Sequence, residues 1–309
     1  MVIITGINGF VGKHLARELS SRDSEIIGIG SFEDRPRPEI ENVVTKYYKC
    51  DITDPKKVAD LDLGQVEAVI NLAGLANTGD SFKNPELYMK VNVDVVAVLG
   101  AEILRQSPRA RMLAISSGTI YDSNQSTPLF EDSSTVMDGS PYALSKIAME
   151  EEAKKLKEKG LDCVVVRPFN HIGPGQALGF LVPDLVDKLQ KMDRKNSQIS
   201  VGNIKTIRDY TDVRDIARAY ADLATAGNLD HNLYNVCSGV GYSGEDILKA
   251  ICKVLDINYD VLVINEDTSL IRPSDPKKVI GDHSRLTSDT GWNPQIALDK
   301  TIADIIATL

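Results

Sequence analysis

The chain has 309 residues, 42% apolar and 26% charged, ordinary proportions for a soluble globular protein of one large or two modest domains. Its net charge of −9 excludes nonspecific attachment to nucleic acid or an anionic membrane, where phosphates would repel it, but leaves room for a local pocket around a phosphorylated small molecule. Scattered cysteines and histidines spell no metal site, no apolar run approaches the about 18 residues of a membrane span, and no leader pattern opens the chain, so a cytoplasmic protein with free thiols is expected.

Val2–Thr5 reads as an apolar strand that ends at the glycine loop GINGFVG. A helix pattern follows, with Leu15 and Leu19 on one face. Such a loop turns tightly, approaches a pyrophosphate and rests it on helix N–H groups. Gly6, Asn8, Gly9, Phe10, Val11 and Gly12 are therefore candidate dinucleotide contacts. Glu25–Ile29 is the second strand. An acid at its tip would bind a ribose 2′-hydroxyl and repel a 2′-phosphate. Here Gly30 and Ser31 stand at the tip, with Arg35 and Arg37 close behind, opposed by Glu33 and Asp34. The expectation is NADP(H), with NAD(H) possible; the alternative is that residues 32–39 are only a solvated loop.

Asp54 and Pro55 open a helix as cap and first residue. Ala68–Leu72 is taken as the third strand. Asn84-Pro85 opens a long helix to about Leu104, with Leu87, Val91, Val95 and Leu99 near-periodic. Arg111–Ser116 is the fourth strand. Ser140-Pro141 opens another helix to about Lys159, where Glu150 with Lys154 and Glu151 with Lys155 suggest a solvated face. Cys163–Arg167 is the next strand. Alternating strands and helices mean right-handed crossovers and a parallel sheet. The expected fold is α/β, a Rossmann-type doubly wound sheet with a smaller C-terminal α/β substrate-binding lobe. Beyond about residue 170 the pattern loosens; Asp212–Ala226 and Leu298–Leu309 read as helices and Asn232–Cys237 as a strand. Residues 1–170, with a returning segment at about 206–238, are assigned to the dinucleotide, and 171–205 with 239–309 to the substrate.

SPYALSK places Tyr142 and Lys146 one helical turn apart. A free phenol has a pKa of about 10, and an ammonium on the same helix face favours the phenolate. ISSGTIY supplies Ser117 as a hydroxyl donor at a strand end. Together with the G-x-x-G-x-x-G loop, these stretches resemble the extended branch of the short-chain dehydrogenase/reductase superfamily. The resemblance implies a catalytic Ser117, Tyr142 and Lys146, the last two also touching the cofactor. It puts Asp51 and Ile52 of CDIT near the adenine, Leu72, Ala73 and Gly74 of NLAG along the cofactor, and Pro168 by the nicotinamide. It gives Asn92 a structural role on the long helix.

RPFNHIGPGQ followed by ALGF resembles the GDP-4-keto-6-deoxy-D-mannose reductases, as do VGNIKTIRDYTDVRDIA, LYNVCSG, IRPSD and TGWNPQI in the same order. By that likeness Asn170 touches the sugar nucleotide, Ser117 and Thr119 face the substrate, and Arg208 and Arg272 grip pyrophosphate or ribose. Surface salt bridges to Asp209 and Asp275 are the alternative for the two arginines. His171 is structural or substrate-adjacent. The sequence departs from the family in having Asp122 after Tyr121. It also has Gly118 and Thr119, with no acid, after Ser117, which argues against a 4,6-dehydratase. The implied activity is NAD(P)H-dependent reduction of a nucleotide-diphosphate 4-keto-6-deoxyhexose, giving GDP-D-rhamnose or its C4 epimer GDP-6-deoxy-D-talose. An NAD-dependent C4 epimerase and a non-catalytic dinucleotide sensor are the alternatives. The resemblance also implies a homodimer through the two long helices, with Ala97, Leu99, Ala148 and Met149 either at the contact or packed within one chain.

Overall fold

Short apolar runs assemble one sheet from strands far apart in the chain. The computed structural model describes residues 1–193, 196–270 and 276–309. Its strands are β1 (Val2–Thr5), β2 (Ile26–Gly30), β3 (Lys46–Lys49), β4 (Ala68–Asn71), β5 (Arg111–Ile115), β6 (Asp162–Pro168), β7 (Asn170–Ile172), β8 (Gln198–Val201), β9 (Ile207–Asp212), β10 (Leu233–Val236), β11 (Gly241–Ser243), β12 (Val263–Glu266) and β13 (Lys278–Val279). The large sheet has seven strands in the order β10-β6-β5-β4-β1-β2-β3, and every pairing in it is parallel. Strands β1, β2 and β4 are buried along their whole length, as a sheet covered on both faces requires. The order reverses between β1 and β4, so the crevice for a ligand opens at their carboxyl ends. Ala68–Asn71 is the fourth strand, not the third; β3, with the sequence KYYK, precedes it at the sheet edge.

The helices are α1 (Phe10–Ser20), α2 (Pro55–Ala59), α3 (Thr78–Ser81), α4 (Pro85–Gln106), α5 (Pro141–Glu158), α6 (Leu181–Lys191), α7 (Val213–Thr225), α8 (Gly244–Val254), α9 (Ser284–Thr290) and α10 (Leu298–Ile306). Leu15 and Leu19 of α1 share one core with Ile216, Tyr220 and Leu223 of α7. On the opposite face, Val95, Leu99 and Ile103 of α4 share a core with Met149, Ala153 and Leu156 of α5. Leu99 and Met149, candidates for a contact between chains, are thus spent inside one chain, while Ala97 and Ala148 are half-buried. The ion pairs on α5 also differ from expectation: Glu150 turns to Arg167 at 2.7 Å, and Lys155 pairs with Glu152 at 3.0 Å. A buried arginine needs a buried acid, which outweighs a loose surface pairing.

A smaller sheet is built on β9, which pairs with β7 and β13 in parallel and with β11 antiparallel. Among the described residues β8 pairs with β12 alone, in parallel. Helices α6, α8 and α10 close a third core over these strands. The stretch 206–238 divides accordingly: β9 belongs to the small sheet, while α7 and β10 join the large one. The buried Asp209 carboxylate fastens the two halves by accepting from the Ser238 N–H at 2.8 Å, the Gly239 N–H at 2.9 Å and the Gly281 N–H at 3.3 Å. Among the described residues no helix is long and apolar enough to cross a membrane.

Candidate active site

The glycine loop joins β1 to α1 at the reversal point. Gly6 has φ +63°, a conformation that side-chain-bearing residues rarely adopt. A Cβ on Gly12 would stand 2.5 Å from the Ile7 carbonyl oxygen, so the helix can start against the loop only without a side chain there. No side chain caps α1, which leaves its first-turn N–H groups, from Phe10 and Val11 onward, available to an anion. A cradle this tight against the backbone suits the pyrophosphate of a dinucleotide.

Asn8 is buried, and its amide donates to the Arg35 carbonyl at 3.2 Å and accepts from the Arg37 N–H at 3.0 Å. It fastens segment 31–37 to the glycine loop. Ser31 and Arg35 are exposed on that segment. Asp51 is exposed too, but its carboxylate accepts from the Thr53 N–H at 3.1 Å and hydroxyl at 2.8 Å, bonds that hold it below the usual carboxylate range. Ile52 is buried beside it.

Leu72, Ala73 and Gly74 follow β4. The Ala73 N–H donates to the Thr5 hydroxyl, which itself donates to Asn71. Asn92 binds both backbone groups of Leu75, at 2.8 and 3.1 Å, and donates to the Ser145 hydroxyl at 2.9 Å. Ser145 in turn donates to the Tyr142 carbonyl at 2.8 Å. The loop after β4 is therefore stitched to the first turn of α5.

Ser140 caps α5 by accepting from the Ala143 N–H, and Pro141 begins it. Tyr142 then stands on the first turn and is 8% exposed. The Ser117 hydroxyl, just beyond the end of β5, accepts from the Thr119 N–H at 3.2 Å and hydroxyl at 2.9 Å, and it lies near enough to the Tyr142 phenol to favour its ionised form. With its lone pairs so engaged, its own hydrogen is left for Tyr142 or for an incoming oxygen. Lys146 lies one turn on, its Nζ 5.9 Å from the Tyr142 ring centroid, and donates to the Ile115 carbonyl at 2.7 Å. The structure brings Ser117, Tyr142 and Lys146 together.

Burial raises the Tyr142 pKa; the nearby Ser117 hydroxyl opposes this, and Tyr88 adds to it. Burial likewise lowers Lys146 to about 8, against the pull of Glu150. Desolvation, which disfavours the phenolate, is thus the largest influence on the phenol. Tyr88, which sequence reasoning missed, packs edge-on to Tyr142 with ring centroids 6.4 Å apart and donates to the Asn77 carbonyl at 2.7 Å.

The far wall comes from the chain after β6. Pro168 is the buried last residue of β6, and Asn170 is exposed at the start of β7. His171 stacks on Phe10, with ring centroids 6.1 Å apart and planes within 9°, and its Nδ1 donates to the Phe169 carbonyl at 3.1 Å. Burial holds its pKa below the ordinary imidazole value. His14, also missed, donates from Nε2 to the Pro174 carbonyl at 3.0 Å, so the HIGPG stretch lies against α1. Thr119 is exposed, and Arg208 is half-buried on β9 with one guanidinium nitrogen on the Ile207 carbonyl. Arg272 lies outside the described residues. The arrangement sets two hydroxyls and an ammonium at one end of a crevice whose other end is an anion cradle.

The sequence matches the NAD dependent epimerase/dehydratase family over residues 2–237. It is 29% identical to a GDP-6-deoxy-D-mannose reductase of Pseudomonas aeruginosa, over 99% of this chain and 96% of that protein. It is also 29% identical to a GDP-6-deoxy-D-talose 4-dehydrogenase of Aggregatibacter actinomycetemcomitans, over 94% and 91%. A solved structure of RMD from Pseudomonas aeruginosa complexed with NADPH has a TM-score of 0.82 at 27% identity, covering 99% of this chain and 97% of that one.

Proposed function

Because the chain belongs to the NAD dependent epimerase/dehydratase family, we propose that it reduces the C4 carbonyl of a nucleotide-diphosphate 4-keto-6-deoxyhexose. The substrate on this reading is GDP-4-keto-6-deoxy-D-mannose, and the product GDP-D-rhamnose or its C4 epimer GDP-6-deoxy-D-talose. The observation that carries it is the placement of the Ser117 hydroxyl near the Tyr142 phenol, with Lys146 Nζ 5.9 Å from the same ring. Similarity to a GDP-6-deoxy-D-mannose reductase and a GDP-6-deoxy-D-talose 4-dehydrogenase supports the substrate class.

The bound dinucleotide supplies hydride to C4. Tyr142 supplies the proton to the oxygen, and its raised pKa keeps it protonated at neutral pH, the state a donor needs. Ser117 directs its hydrogen at the carbonyl oxygen, with Thr119 behind it. Lys146, held on the Ile115 carbonyl, orients the cofactor ribose and keeps positive charge near the phenol. Gly6, Gly9 and Gly12 carry the pyrophosphate, and Leu72 to Gly74 and Pro168 border the nicotinamide half. Asn170, Arg208 and Arg272 are assigned to the sugar nucleotide, where guanidinium groups meet two phosphates. Residues 1–170 with α7 and β10 form the cofactor part, and 171–205 with 239–309 the substrate part. NADP(H) is the favoured cofactor, because no carboxylate ends β2 and the exposed Arg35 follows it. A homodimer through α4 and α5 completes the proposal.

The test is to mix the protein with NADPH and GDP-4-keto-6-deoxy-D-mannose and follow nicotinamide absorbance, with the sugar product resolved by NMR. Stoichiometric oxidation of cofactor is expected. No oxidation of either NADPH or NADH would remove the reading, and copurified NAD with sugar epimerisation would replace it by a C4 epimerase.

A further inference from the structure

The end of β2 carries a second signal, the spacing Gly28-Ile29-Gly30. Both glycines face the ring of Tyr47 on the edge strand β3. A Cβ on Gly28 would lie 3.1 Å from Tyr47 Cδ2, and one on Gly30 would lie 2.2 Å from the Tyr47 hydroxyl oxygen. The ring therefore runs along β2 in a trough that the two glycines leave open. Its hydroxyl ends where any side chain at residue 30 would begin. That hydroxyl donates to the Glu33 carbonyl at 3.1 Å and accepts from the Asn8 amide at 3.3 Å. Asn8 also holds the backbone at Arg35 and Arg37. The glycine loop, the edge strand and segment 31–37 are one hydrogen-bonded unit with Tyr47 at its centre.

A carboxylate at the end of the second strand would bind a ribose 2′-hydroxyl and repel a 2′-phosphate. None can stand at residue 30 while Tyr47 keeps this position, because a carbon 2.2 Å from its hydroxyl oxygen is far inside contact distance. The acids further on are turned elsewhere: Asp34 pairs with Lys49 at 2.7 Å, and Glu33 lies 3.9 Å from Arg37. Arg35 makes no ion pair among the described residues. We propose that Tyr47 sets the cofactor preference, by filling the carboxylate's place with a neutral hydroxyl and by anchoring the segment that carries Arg35. The proposal rests on the dinucleotide reading of the glycine loop and names the residue behind the choice of a 2′-phosphorylated nucleotide.

The test titrates wild type, Tyr47→Phe, Gly30→Asp and Gly30→Asp/Tyr47→Ala with NADPH and with NADH, following nicotinamide fluorescence, with folding checked by circular dichroism. Wild type should bind NADPH about tenfold or more tighter, the worth of one charge-assisted contact. Tyr47→Phe keeps the ring but loses the bonds to the Glu33 carbonyl and the Asn8 amide, which loosens the segment and should narrow the ratio by weakening NADPH alone. Gly30→Asp should lose affinity for both nucleotides, and Gly30→Asp/Tyr47→Ala should reverse the preference toward NADH. A preference for NADH in wild type, or a ratio unchanged in folded Tyr47→Phe, overturns the proposal while leaving the dinucleotide reading intact. Binding of neither nucleotide by folded wild type overturns both.

Discussion

The Tyr142 phenol is governed first by burial, with Lys146 Nζ 5.9 Å from its ring. Replacing it with phenylalanine removes one oxygen from a pocket that the ring still fills. Tyr142→Phe should lower turnover by about 10²–10⁴ and leave NADPH affinity within a few fold; a protein that merely senses the dinucleotide would be indifferent. His14 and His171 report on folding instead. Burial holds both below the ordinary value, so below about pH 6.5 the unfolded chain takes up protons that the folded one refuses. Stability is then complete above that pH and falls as the pH drops toward the folded values. Thermal unfolding should shift to lower temperature from pH 7 to pH 5, and His14→Gln/His171→Phe, which preserves a donor and the Phe10 stack, should flatten the curve. That Ser117, Tyr142 and Lys146 come together was legible because each belongs to a short local pattern, a strand end or a single helical turn. Tyr47, Tyr88 and His14 were not, since what gives each a role is a partner far along the chain. Asn8 was legible as part of the loop, but its bonds to the backbone of Arg35 and Arg37 were not, because no spacing reveals them.

The elements divide in the same way. Fully buried strands such as β1 and β4 announce themselves by composition, whereas β3 carries a lysine at each end, as exposed edges do, and reads as polar. In the small sheet β7, β11 and β13 run to two or three residues each, too short for alternation to emerge. Between β6 and α5 the structure holds a pairing that neither segment predicts alone. The Arg167 guanidinium, buried, grips Glu150 through two nitrogens, at 2.9 and 2.7 Å, and also donates to the Tyr121 hydroxyl and the Glu131 carbonyl. Glu150→Ala strands that charge and should cost about 3–5 kcal/mol in urea unfolding. Glu150→Ala/Arg167→Met removes the stranded charge and should recover much of the loss; no recovery would mean that Arg167's other two bonds carry the strength.

At the scale of the molecule, α4 keeps an outward face. Ala101 and Arg105 are exposed on it, and Leu87 and Met89 near its start are 50% and 40% exposed. If this face and α5 meet a second copy, sedimentation at micromolar concentration gives a dimer, and Ala101→Arg gives a monomer with little change in unfolding temperature. A monomeric wild type would discard the dimer and leave the chemistry untouched. The large sheet also takes its last strand, β10, from a part of the chain that follows β7, β8 and β9. A ribosome adding about 5–20 residues per second finishes β6 several seconds before β10 emerges. Throughout that interval the nascent polypeptide presents an open apolar edge beside β6, a natural landing place for chaperones, and stop codons falling in the interval would release fragments fit for proteolysis rather than half-working enzymes.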